Sequence, residues 1–192
     1  MGRYTKDTTR KKEKADKVFE MPLKRQRTNW KTIQDYVIAS LYTLQPPVRL
    51  DYADTLVVNS DATKKPDDFN YLENKKDGMR FVFNRYKTDK KYGQVVKDVP
   101  KELEEVLRKW LKINNSGDFL LTQNNQDLMG DNALSKNISR IFSHDGKKLN
   151  VNLLRNIFLT DQLGSQTKEQ QLAKDMMNST DAQKIYRKDT EK

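Results

Sequence analysis

Arg155 is the residue of this 192-residue chain whose setting most needs a reason. It stands among Leu153, Leu154, Ile157 and Phe158, at helical spacing, and an unpaired charge on a buried helix face carries a heavy desolvation cost. Either the guanidinium snorkels at the helix edge or it points into a polar cleft. Other capable side chains are placed as pointedly. Arg49 follows the stiff pair Pro46–Pro47. Lys87, Lys90 and Lys91 crowd one turn, an arrangement that also serves plain solubility. Tyr186 precedes Arg187 and Lys188, or joins Ala182 and Ile185 in an apolar stripe. The chemistry such cations suit is recognition of a polyanion. The net charge of +10 agrees, as does the first thirty residues' ten Lys/Arg against four Asp/Glu. Acidic lipid and simple solubility are the competing readings of that charge.

Composition excludes other classes. Cys is absent and His144 is the single histidine, so disulfides, thiolate metal sites and multi-histidine metal sites are ruled out. No metal or cofactor is expected. No stretch approaches the ~20 apolar residues of a membrane span. The first thirty residues contain no apolar core of a secretory signal, so an intracellular setting without membrane contact is expected. His144, in the turn His-Asp-Gly-Lys, reads as a surface histidine.

Stepping along the chain gives the elements that must hold these residues. Residues 1–28 read as a basic flexible arm or linker, solvated or touching DNA. Residues 29–192 read as one domain. Trp30, Ile33, Val37, Leu41 and Leu44 recur at helical spacing until Pro46 and Pro47 stop them. Leu50 onwards leads to a short strand. Phe81 and Phe83 alternate with Val82 and Tyr86, and the segment after Gly93 returns as a second strand. That predicts a β-hairpin with Lys87, Lys90 and Lys91 near its tip. Pro100 starts a helix whose buried stripe is Leu103, Val106, Leu107, Trp110 and Leu111. Asp131 or Asn132 caps a helix through Leu134, Ile138 and Ile141. Asn150 or Asn152 opens another, with Leu153, Leu154, Ile157 and Phe158 facing the core. Thr167 and Gln170 have capping-box spacing before a helix through Leu172 and Met176. A last short helix carries Ile185 and Tyr186. The order predicts a mainly helical α+β domain with a small hairpin or sheet.

Four segments carry a resemblance. Pro46–Tyr52 (PPVRLDY), Phe83–Gly93 (FNRYKTDKKYG), Asn150–Phe158 (NVNLLRNIF) and Met176–Lys188 (MMNSTDAQKIYRK) resemble, in this order, the active-site boxes of tyrosine recombinases. The nearest flavour is the branch of large DNA viruses and their satellite viruses. The resemblance runs from about Trp30 to Lys188 and implies the catalytic DNA breaking-and-rejoining fold. It implies double-stranded DNA as partner, a tetramer when assembled on DNA, and an integrase or resolvase activity. In such chemistry a tyrosine hydroxyl attacks a backbone phosphodiester, leaving a 3′-phosphotyrosyl link and a free 5′-hydroxyl. The resemblance places the nucleophile at Tyr186 and the phosphate clamp at Arg49 and Arg155. It places the general acid at Lys87, with Lys90 and Lys91 as rivals on the same turn and as DNA contacts beside Arg187 and Lys188. Asp51 or Asp54 would orient Arg49.

Two positions depart from that pattern. Asn152 and Asn178 stand where the family has imidazole or indole. Asparagine can donate a hydrogen bond to a phosphate oxygen but cannot shuttle a proton, and that help is typically worth ~10²–10⁴-fold. A non-catalytic DNA-binding relative is therefore the main alternative, and a type IB topoisomerase a more distant one.

Overall fold

The computed structural model describes residues 4–144, 147–162 and Met176. Its architecture is α+β, with a cluster of helices and a four-stranded mixed sheet sharing one main core. The central helix α3 (Trp30–Thr43) is buried along almost its whole length, and Leu44 caps it just before the double proline. Helices α5 (Lys101–Leu111) and α6 (Asp131–Ile141) pack against it. Trp110 of α5 is fully buried, and its indole N–H donates to the Leu120 carbonyl at 2.7 Å.

The sheet runs β1 (Thr55–Val58), β2 (Asn70–Lys75), β3 (Gly78–Phe83), β4 (Val95–Asp98). β1 and β2 are parallel; the other pairs are antiparallel. The expected hairpin is the β3–β4 pair, with Phe83 opposite Val95. Its tip contains a single helical turn, α4 (Asp89–Tyr92), ended by Gly93 at φ 64°. Phe81 and Phe83 face the main core, while Val82 packs with Ala62 and Tyr71 on the other side. Tyr86 belongs with Phe81 and Phe83, not with Val82, because the strand ends at Phe83 and its alternation ends with it.

Strand β2 was not foreseen. Its polar Asn70 and Glu73 are buried, and each is stabilised by partners distant in sequence. Glu73 accepts from the Ala62 N–H and from Arg80, with Lys75 Nζ at 3.3 Å. The Asp77–Gly78 dipeptide was the local sign of the turn into β3.

The expected mobile arm is corrected. Residues Tyr4–Phe19 form helix α1, which docks on α3. Ala15 and Val18 enter the main core, and Phe19 and Met21 pack against it. Lys11 reaches Asp35 of α3 at 2.8 Å, and Arg140 of α6 clasps the same carboxylate. Burial would raise the Asp35 pKa, but hydrogen bonds from Arg140 and Lys11, with their charges, hold it below the ordinary value. A narrow apolar seam plus one buried ion pair is enough to order a helix whose other faces are charged. A short helix α2 (Leu23–Thr28) follows, tied back by Gln26 to the Phe19 and Met21 carbonyls.

Near the end of the described residues, β5 (Ser143–His144) pairs with β6 (Lys147–Lys148), and α7 (Val151–Gln162) follows. Asn150, not Asn152, caps α7: its Oδ1 accepts from the Leu153 N–H at 2.9 Å. Leu153 is 40% exposed and so does not face the core as expected. No helix among the described residues is long and apolar enough to cross a membrane.

Candidate active site

The turn after α3 is held from both sides. The Tyr42 hydroxyl donates to the Arg49 carbonyl at 2.5 Å, and the Arg49 N–H donates to Asp51 Oδ2 at 3.0 Å. Asp51 thus fixes the backbone of Arg49. Tyr52, edge-on to Tyr42 and hydrogen-bonded to Gln45, closes the turn beneath.

A second turn, from Asn84 to Thr88, carries Lys87. The Tyr86 hydroxyl donates to the Gly93 carbonyl at 2.7 Å, which closes the loop around α4. Asn70 joins the two turns. Its buried side-chain amide donates to the carbonyls of Asp51 (3.0 Å) and Arg85 (2.9 Å). Its Oδ1 accepts the N–H groups of Asn84 and Arg85, both at 2.9 Å. All four hydrogen-bonding positions of this amide are thereby used.

Between these turns and the start of α7 lies an open cleft of about 610 Å³. Arg49, Lys87 and Asn152 line it, from three segments far apart in sequence. Lys90 and Lys91 do not. Lys90 borders a neighbouring depression with Asp67 and Gln94, and Lys91 Nζ lies 5.2 Å from the Tyr92 ring centre. Geometry therefore separates Lys87 from its two rivals. Arg85 also lines the cleft, with Nη1 donating to the Asp68 carbonyl at 3.1 Å. Neither Arg85 nor Asn70 was singled out from sequence. Asn70 gives no local signal, since its role exists only once β2 is in place.

Arg155 takes neither expected position. It is fully buried and does not line the cleft; Nη2 donates to the Met176 carbonyl at 3.1 Å. It is close enough for its charge to act on Asp51, which lines the cleft, and on Tyr42. Burial pushes the Asp51 carboxyl up to about 6, against the Arg49 N–H hydrogen bond and the charges of Arg49 and Arg155. Asp131 is also raised, by burial and by the neighbouring Asp54. Arg49, Arg85 and Lys87 share the cleft with Asp51, Asp54, Asp89 and Asp131. The lining thus sets three cations against four carboxylates. Among the described residues no group of acidic, His or Cys side chains is placed to hold a metal ion. Tyr186, Asn178, Arg187 and Lys188 lie outside the described residues. Comparison with family models, with curated proteins and with solved structures finds no match for this chain.

Proposed function

We propose that this chain cuts and rejoins double-stranded DNA through a covalent 3′-phosphotyrosyl intermediate on Tyr186, in the manner of a tyrosine recombinase. The observation that carries the reading is the shared cleft of Arg49, Lys87 and Asn152, residues drawn from three of the four segments that resemble that family. Arg49 grips a non-bridging oxygen of the scissile phosphate; its planar fork stays charged and donates two hydrogen bonds. Attack by the Tyr186 oxygen, whose hydroxyl proton passes to water, forms the phosphotyrosyl bond and breaks the bond to the 5′-oxygen. Lys87 gives its proton to that departing oxygen. Asn152 donates to the phosphate without moving a proton. Arg155 reinforces the positive potential from its buried position and stabilises the charge of the transition state. Rejoining is the reverse, with a 5′-hydroxyl as nucleophile, and assembly of four protomers on DNA would allow exchange between duplexes.

The test is a nicked duplex from which the 5′-hydroxyl product escapes after cleavage. A covalent protein–DNA adduct is expected, and its loss in Tyr186→Phe. DNA binding without any adduct would refute the proposed chemistry. That outcome is the second reading, a non-catalytic DNA-binding relative, and it is favoured by one observation: Arg155 is buried against the Met176 carbonyl and not open to the cleft.

A further inference from the structure

The cleft lining holds no excess of cations, three against four carboxylates, yet the chain carries +10, so the excess lies elsewhere. Much of it is on α1 and α2. Along α1, Lys6, Arg10, Lys14 and Lys17 follow at steps of four, four and three residues, which sets them on one face. All four are exposed. Lys11 is different: it turns inward to Asp35 and fixes the helix, leaving the outer row to solvent. Arg10 is steadied by Asp7 at 3.3 Å. Glu13, three residues after Arg10 and four before Lys17, is the one acidic residue on the face of this row, and Glu20 lies just past the end of α1. From Met21 to Gln34 there is no acidic residue, and Lys24, Arg25, Arg27 and Lys31 are all exposed. Gln26 locks α2 onto the end of α1, so the two helices present one fixed surface.

The direction of the row is informative. Thr8 touches Thr43 at 3.3 Å, so α1 begins beside the end of α3 that leads into the Arg49 turn. The cations run from there towards α2. From Lys6 to Lys17 the span is about 16 Å at the helical rise. A duplex presents about one negative charge per ~1.7 Å of its axis, so the row can cover several phosphates.

We propose that the outer faces of α1 and α2 form a sequence-independent grip on the backbone of duplex DNA, separate from the cleft. This rests on DNA as the partner in the reading above, but not on chemistry at Tyr186. A preordered row of cations on the solvent side of a docked helix suits a rigid polyanion. The exposed Leu23 on α2 is isolated and makes no apolar face for a membrane.

The experiment titrates the full chain onto a fluescently labelled duplex over a range of salt. The variant combines Lys6→Gln, Lys14→Gln, Lys17→Gln and Lys24→Gln, all at exposed positions. The slope of log affinity against log salt should become shallower by about 3 to 4, and affinity near 0.1 M salt should fall at least about tenfold. The same four positions changed to Arg should keep both. An unchanged slope in the Gln variant overturns the grip. So does binding of the parent to phosphatidylserine vesicles but not to duplex, which would assign the surface to membranes. The nicked-substrate assay keeps the two proposals apart. A shallower slope with no Tyr186 adduct leaves the grip and removes the chemistry; an adduct with an unchanged slope does the reverse.

Discussion

Replacing Asn70 by aspartate changes one NH₂ group to oxygen with almost no change in shape, so its effect isolates the two hydrogen bonds that Asn70 donates. The Asp51 and Arg85 carbonyls, now 3.0 and 2.9 Å from Nδ2, would face a carboxylate oxygen instead of a donor. Each buried acceptor left unsatisfied costs ~1–3 kcal/mol, so Asn70→Asp should lose about 2–5 kcal/mol at neutral pH. For a chain of this size that lowers the melting temperature by roughly 5–20 °C, readable by far-ultraviolet circular dichroism. The deficit should narrow on acidification, since a protonated carboxyl regains one donor and restores one of the two bonds. Asn70→Ala offers no such recovery, because it also strands the Asn84 and Arg85 N–H groups. An Asn70→Asp protein that melts with the parent at neutral pH would refute the claim that this amide joins the two walls of the cleft.

Asp35→Asn should cost about 2–3 kcal/mol at neutral pH, because Lys11 and Arg140 both lose a charged acceptor and Lys11 is itself largely buried, while the greater exposure of Arg140 limits its share. The folded Asp35 pKa is lowered, so its contribution is complete above the unfolded carboxylate value of about 3.9 and disappears as pH falls through the folded one; urea midpoints of parent and variant should converge only in strong acid. Hydrogen exchange in α1 should accelerate in the same variant. If the proposed chemistry holds, Lys87→Ala should slow adduct formation by ~10²–10⁴-fold, with Lys91→Ala near the parent rate; equal effects in single-turnover assays would undo the distinction drawn from the cleft.

Much of the helical frame is legible locally. The end of α3 is marked by Pro46 and Pro47, the start of α5 by Pro100, and the start of α7 by Asn150. What fails to read is whatever a distant partner stabilises. Strand β2 hides because Asn70 and Glu73 look like surface residues until Asp51, Arg85, Ala62 and Arg80 surround them. Helix α1 hides because its buried contribution is small, and its anchor, Asp35, lies 24 residues from Lys11. In the candidate site, Arg49, Lys87 and Asn152 were singled out only through a family resemblance, and they line one cleft. Arg155 was identifiable as anomalous, but not as a fully buried residue, since depth below a surface is not written in helical spacing.

The docking of α1 also bears on how the protein can be cut. Charge composition draws a boundary near residue 28, and a fragment beginning there would keep every cleft residue named above. It would nevertheless tear open one core. The surface of α3 that covers Ala15 and Val18 would meet water, and Asp35 would keep Arg140 but lose Lys11. An uncovered apolar strip on a central helix invites self-association. The charged N-terminal segment is therefore a keel rather than a tether, and trimming it for convenience would yield a stickier molecule, not a smaller domain.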